Sequence, residues 1–346
     1  MIEIETEVLV VGGGMTGCAA AFESARTRCT ILASAGGSAT SLSSGCIDFH
    51  SDGRSRAADF LGALDRHLGL VDGGRVITSA GVDRPASVHQ KGMLTLEEVQ
   101  ARGGVDIVHF PWMRSSHPRL AVHCLRAKGI TADILQADDS ARTVMLERGD
   151  AETLGRALAR SIPASRKDLV AIPALWAGLD LGAMLEAATR EGGCEFRELV
   201  GPAGPAGLRL QRAAELVSNV SNSMIGCELR GLEFTADRCT AAIVRSGLRD
   251  IRIVCRGIIL ATGGPLISRS DVVLPLEKEM VTIPSLGAAA PFLQCRDGFA
   301  RHAGRPLRNV VVCGSALSQL GYLEGKGAGD CLLSGLAAGK LLGEGL

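Results

Sequence analysis

The sequence predicts an α/β fold with a parallel central sheet, an antiparallel meander and an inserted α/β cap region. Three observations carry this expectation: apolar runs of strand length at both ends of the chain, strand-like and helical runs alternating between residues 105 and 190, and successive strand-like runs from Met224 to Val254. Alternation at that spacing calls for crossover units and hence parallel strands, while consecutive strands separated by turn residues call for hairpins.

The first element is a buried strand, Thr6-Glu7-Val8-Leu9-Val10-Val11, which runs directly into Gly12-Gly13-Gly14-Met15-Thr16-Gly17. Gly12-x-Gly14-x-x-Gly17 between a strand and a helix is the fingerprint of a Rossmann-like, FAD- or NAD(P)-binding domain. The first glycine permits the turn, the second lets a pyrophosphate approach the backbone, and the third lets the helix pack close to the strand. The alanine-rich helix Cys18 to Arg26 and the short strand Cys29 to Ala33 complete a βαβ unit. An acidic residue that grips ribose usually ends such a second strand. Here Leu32-Ala33-Ser34 stands in its place.

Composition excludes several partner classes. Lys plus Arg equals Asp plus Glu at 37 each, so no electrostatic case exists for nucleic acid or an anionic membrane. No long uninterrupted apolar stretch is present and the acidic start leaves no room for a cleavable leader, so the cytoplasm is the expected location, with any membrane contact made through a partner. The 11 cysteines are scattered without a C-x-x-C pair, which argues against zinc or an iron–sulfur cluster and for a reducing compartment.

Further along, Gly36 to Gly45 is a small-residue loop placed to lie along an extended ligand. Ala57 to Leu68 is helical, and Val71 to Gln90 reads as surface connection. Strands follow at Val105–Phe110, 129–135 and Leu169–Pro173, with helices at 119–128, 151–161, 181–190 and 208–217. A strand, Gly257 to Leu260, then ends in Ala261-Thr262-Gly263-Gly264. Another, Asn309 to Val312, ends at Gly314, and Gly327-Ala328-Gly329 opens a terminal helix, 331–342.

Glycine-terminated strands of this kind place bare backbone at one sheet edge, and their order resembles the fumarate-reductase and succinate-dehydrogenase type of flavoprotein. More narrowly, Arg28 to Leu32 followed by Ser43-Ser44-Gly45-Cys46-Ile47-Asp48 resembles the family of the second flavin-bearing subunit of anaerobic glycerol-3-phosphate dehydrogenase, as do Pro173-Ala174-Leu175 and Leu208-Arg209-Leu210-Gln211. The resemblance implies a flavin-binding domain formed by residues 1–56 and 236–346, with 57–235 as the inserted cap. It implies a quinone-linked complex with an FAD-containing dehydrogenase subunit and an iron–sulfur, membrane-associated subunit. The flavin contacts expected from the fingerprint and the resemblance together are Gly12, Gly13, Gly14, Met15, Thr16, Gly17, Ser43, Ser44, Gly45, Ala261, Thr262, Gly263, Gly314, Gly327, Ala328 and Gly329, with Ser34 or backbone groups replacing the ribose acid. The family points to FMN, whereas a helix N-terminus at a βαβ turn is built for the pyrophosphate of FAD, and FAD is the expected cofactor.

No catalytic base stands out. His50, His109, His117, His123 and His302 are available; His117 lies beside Arg114 and Arg119, and His302 beside Arg296, Arg301 and Arg305. Solvated surface charge outweighs an anion site for both clusters. Cys46 and Cys331 are thiols placed near the expected flavin site, and packing outweighs redox chemistry for each. The expected function is thus a flavin-dependent dehydrogenase subunit acting on glycerol 3-phosphate or a similar hydroxy compound, the alternatives being an electron-relay or structural subunit and a standalone FAD-dependent oxidoreductase.

Overall fold

The computed structural model describes every residue except 1, 37, 50–52, 114–115, 147–148, 202–203, 219–221, 264–271, 276–279, 284–298, 303–304, 317–326 and 346. The chain forms two compact units. One comprises Met1–Thr40, Asp48–Leu64 and Gln211–Leu346, the other Ser41–Ile47 and Asp65–Leu210. The inserted region thus runs differently from residues 57–235: its two ends lie with the first unit, and the segment Ser41–Ile47 lies with the second.

The first unit opens with β1 (Ile2–Val11), α1 (Met15–Ser24), β2 (Thr30–Ser34), the short α2 (Gly53–Arg56) and all but the last turn of α3 (Ala58–Leu68). Strand β1 is longer than the apolar run alone, because Ile2 and Ile4 alternate with glutamates and continue the pairing. Val8, Leu9 and Val10 are fully buried, each worth about 2 kcal/mol of transfer free energy.

The second unit follows with β3 (Leu70–Asp72), β4 (Arg75–Ile77), β5 (Asp83–Pro85), β6 (Val88–Gln90) and α4 (Leu96–Ala101). Then come β7 (Gly104–His109), α5 (Pro118–Ala127), β8 (Thr131–Gln136), α6 (Ser140–Leu146) and α7 (Ala151–Arg160). It closes with β9 (Leu169–Pro173), α8 (Leu181–Gly192), β10 (Glu195–Leu199) and the start of α9 (Pro205–Ser218). Strands β10-β9-β7-β8 form an all-parallel sheet. Its two faces are both apolar: Val105, Ile107, Leu169 and Ala171 pack with α5 residues, and Val108, Val170 and Ile172 with α7 and α8 residues. That is the demand a parallel sheet covered on both sides makes. Val71 to Gln90, expected as surface connection, instead lies in two small antiparallel pairs, with Val76, Ile77, Val88, His89 and Gln90 buried.

The remainder, β11 (Asn222–Ile225), β12 (Cys227–Thr235), β13 (Arg238–Ser246), β14 (Arg249–Leu260), β15 (Val272–Pro275), β16 (Met280–Ile283), β17 (Phe299–His302), β18 (Arg305–Val312) and α10 (Ala328–Gly345), returns to the first unit. Its sheet runs β11-β2-β1-β14-β18-β17-β16-β15, with β12 and β13 attached to β14 as the expected meander. Two details differ from expectation. Strand β11 pairs in parallel with β2 and so is not part of the meander. Strand β14 is one continuous element that pairs antiparallel to β13 and parallel to β1, because Gly257 lies within the ladder and does not break it. Helix α10 packs on α1 so closely that a Cβ on Gly335 would sit 2.2 Å from Thr16 O, and one on Gly339 would sit 2.5 Å from Ala20 O.

Candidate functional site

The register of the first unit brings four strand ends together. Val11 stands beside Ala33 on β2 and Leu260 on β14, and Leu260 stands beside Val312 on β18. The residues that follow, Gly12 to Gly17, Ser34, Ala261 to Gly263 and Gly314, therefore emerge along the carboxyl edge of one parallel sheet. Neighbouring strands leave β1 in opposite directions there, which makes this the switch point at which open α/β sheets bind ligands.

Each glycine of the turn meets a different demand. Gly12 has φ +116°, and a Cβ on it would lie 2.2 Å from Ala261 O. On Gly17 a Cβ would lie 1.7 Å from Gly12 O, so this glycine sets the approach of helix to strand. On Gly13 it would meet Ser34 Oγ at 2.3 Å. Gly14 is the exception: it is the N-cap of α1 in extended conformation, and its nearest neighbour is Ser38 Cβ at 3.4 Å, an ordinary contact. Nothing described in the chain requires a glycine there, whereas a ligand drawn onto the backbone does. The turn fits a pyrophosphate in this respect.

Donors at the turn are already partly allotted. Met15 N–H donates to Thr40 Oγ1 at 3.0 Å, so the Met15 amide is turned to its own chain and its side chain is buried. The amides of Thr16 and Gly17 belong to the first turn of α1, whose N–H groups lack intrahelical acceptors. Gly13 O accepts from Cys18 Sγ at 3.3 Å and from Gln211 Nε2. Ser34 Oγ accepts from Gly36 N–H at 3.2 Å and keeps its own proton to donate, which suits a ribose hydroxyl at the position usually held by an acid. Gly314 (φ +74°) lies against Thr16, and its amide donates to Ser334 Oγ at 3.0 Å. Thr262 is exposed, and Gly263 (φ +74°) has only Ser315 Oγ near it, at 3.8 Å. Gly327 takes φ +121° ahead of Ala328, while Gly329 packs beneath Asp48 O and donates its amide there at 3.2 Å.

The loop Ser43-Ser44-Gly45 belongs to the second unit and is built into it. Gly45 has φ +75°, and its carbonyl accepts from Gln90 Nε2 at 3.1 Å; Ser44 Oγ accepts from Arg84 Nη1 at 3.1 Å. Gln90 in turn accepts from Arg209 Nε at 2.8 Å, and Arg209 is clamped by Glu198, both fully buried. Breaking such a pair from one side strands a buried charge, at a cost of about 3 to 5 kcal/mol.

His109 Nδ1 pairs with Gln136 Oε1 at 2.9 Å, and His117 is the N-cap of α5, both in the second unit. His50, Arg114, Arg296, Cys295, Gly264 and the side chains of His302, Arg301 and Arg305 lie outside the described residues. Burial pushes the Cys18 thiol up to about 12 and the Cys331 thiol up to about 11, so neither supplies a thiolate near neutral pH. Cys46 is buried with its sulfur 3.8 Å from Met93 Sδ. No cluster of His, Cys, Asp or Glu able to hold a metal occurs among the described residues. Ser38, Thr40 and Gln211, which have no individual role in the expected flavin contacts, brace the turn. The first two lie inside a loop already marked by composition, and Gln211 ends the run Leu208 to Gln211 that shares in the resemblance, which gave it no individual role.

Residues 7–67 match the sequence family described as the FAD binding domain. A search of curated proteins finds no match. Among solved structures, the chain is similar to a 3-ketosteroid-Δ4-(5α)-dehydrogenase from Rhodococcus jostii RHA1 at 11% identity, covering 99% of this chain and 98% of that one, with a TM-score of 0.43. A geranylgeranyl bacteriochlorophyll reductase-like protein from Thermoplasma acidophilum is 11% identical over 99% of this chain and 79% of its own, TM-score 0.42. The FrdA chain of E. coli quinol fumarate reductase is 9% identical over 99% and 71%, TM-score 0.38. With the family match spanning the β1 to α3 segment and the open Gly14 at its centre, the chain is an α/β flavoprotein whose cofactor is FAD.

Proposed function

We propose that this flavin-dependent oxidoreductase is the flavin-bearing subunit of a quinone-linked dehydrogenase complex similar to anaerobic glycerol-3-phosphate dehydrogenase, acting on glycerol 3-phosphate or a related small hydroxy compound. The observation that carries the pyrophosphate site is the open face of Gly14 at the meeting of four strand ends, and the FAD-binding-domain match over residues 7–67 makes that ligand FAD. The complex and the substrate class are supported by the Ser43 to Asp48 run and its companions in sequence. Bound FAD would supply hydride acceptance and one-electron transfer. In this reading Gly12 to Gly17 hold the pyrophosphate and Ser34 replaces the ribose acid. Ala261 to Gly263 and Gly314 line the path, and Gly327 to Gly329 bring the positive end of α10 toward the ring. A cytoplasmic location, on the inner membrane face through an iron–sulfur partner, goes with it. Among the described residues no helix is long and apolar enough to cross a membrane.

A second reading, an electron-relay subunit, is favoured by one observation. The described strand ends of the first unit, 12–16, 34–36, 261–263 and 313–315, carry no carboxylate or imidazole to take a proton from an alcohol. The test is dye reduction by the purified chain with glycerol 3-phosphate, alone and with the partner subunits. Turnover by the chain alone rejects the relay reading. A yellow chain that is inert even with its partners rejects this substrate class. FMN as the sole flavin released would overturn the pyrophosphate assignment.

A further inference from the structure

The Gly13–Gly14 peptide is an easily inverted link in the turn, because glycine on both sides removes the Cβ contacts that resist a flip. Its orientation decides the sign of what the turn offers a ligand. In one state Gly14 N–H faces outward, and in the other the Gly13 carbonyl does, with its partial negative charge toward a phosphate. The structure holds one of these states from outside the turn. Gln211, on α9 and 6% exposed, donates Nε2 to Gly13 O and to Glu215 Oε1 at 2.7 Å, and its Oε1 accepts from Ser38 Oγ. This carboxamide cannot be turned over without setting its oxygen against two other oxygens, so its orientation is fixed by its partners. Because the peptide is trans, a carbonyl held on the Gln211 side sends Gly14 N–H to the opposite side.

We propose that Gln211 is the positioning residue of the phosphate turn: by pinning the Gly13 carbonyl, it keeps the Gly14 amide pointed at the FAD pyrophosphate. The inference rests on the FAD assignment above and adds to it the device that keeps the cradle in its binding state. Cys18 Sγ, the other donor to Gly13 O, is too weak to hold the peptide alone.

The test is FAD affinity, measured by fluorescence quenching on the full chain, for wild type, Gln211→Leu, Gln211→Glu and Ser38→Ala. Gln211→Leu removes the donor and is expected to weaken FAD binding about tenfold or more. Gln211→Glu presents an ionised carboxylate to the carbonyl at about pH 8 and is expected to bind equally weakly there. It should recover toward wild type at about pH 5, where a protonated carboxyl can donate again; Glu215 beside it favours that protonation. Wild type is expected to show no such recovery. Ser38→Ala, on a partly exposed residue, is expected to weaken binding a few-fold without disturbing the fold. Recovery confined to Gln211→Glu supports the positioning role. Wild-type affinity in both Gln211→Leu and Ser38→Ala overturns it, as does a Gln211→Glu variant whose affinity is equally low at both pH values. A wild-type chain that binds no FAD would instead bring down the assignment on which the inference rests.

Discussion

Gly14 and Gly17 lie three positions apart in one turn yet answer to different forces, and substitution separates them. Gly17→Ala drives a methyl into the Gly12 carbonyl and is expected to cost about 3 kcal/mol in urea unfolding. Gly14→Ala meets only Ser38 at van der Waals distance, so it should cost about 1 kcal/mol or less while FAD affinity falls about tenfold. His89 gives a different kind of residue-scale test. It is 4% exposed, its Nδ1 has no partner among the described residues, and burial lowers its pKa. Because the unfolded chain takes up that proton first, stability falls as pH drops below the ordinary imidazole value and goes on falling to the lower folded-state value. Urea midpoints should therefore decline as pH is lowered from about 7 through the ordinary imidazole value, and His89→Leu should flatten that decline. At this scale the sequence made the glycines legible, because a turn between strand and helix leaves few other reasons for them. It could not show that the Met15 and Gly329 amides are already spent within the chain, since Thr40 and Asp48 reach them only through the fold.

Elements with a long regular period were readable, and short or mixed ones were not. Strands β7 and β9 and helices α5, α7 and α8 fall within a few residues of where their patterns place them. Strands β3 to β6 have three residues each, too few to display alternation, and their burial comes from pairing partners up to 20 positions away. Gly257 resembled a boundary because a glycine inside a strand is rare. In β14 it survives because neighbours on both sides complete the ladder. Helix α4 was missed although its signal was present. Thr95 accepts from Glu98 N–H at 3.3 Å, and the Glu98 carboxylate accepts from Thr95 N–H at 3.2 Å, a reciprocal cap written in sequence as Thr-x-x-Glu. Thr95→Ala is expected to lower stability by about 1 kcal/mol, with amide exchange accelerating over 96–101 ahead of the rest of the unit.

At the scale of the molecule, the α/β class followed from alternation, whereas the division into units did not, because chain segments far apart in sequence share a sheet. FAD that binds only the folded state should add about 2.7 kcal/mol of stability at a hundredfold excess over Kd, read as a rise in the unfolding midpoint. Gly14→Ala at the same FAD concentration should lose most of that rise, while its ligand-free midpoint stays near that of wild type.

The pairing of β1 with β14 has a consequence for how the protein acquires its structure. Ile2 takes Ile251 as its neighbour, and α1 takes its closest packing from α10, so the first crossover unit remains without one flank until most of the chain has been threaded back to it. The parallel sheet of the second unit closes within residues 104–199. Loop closure over the longer span slows the search, so the second unit should gather its native contacts earlier in refolding. The nucleotide-binding edge, legible in the first seventeen residues, would then be among the last parts of the protein to exist.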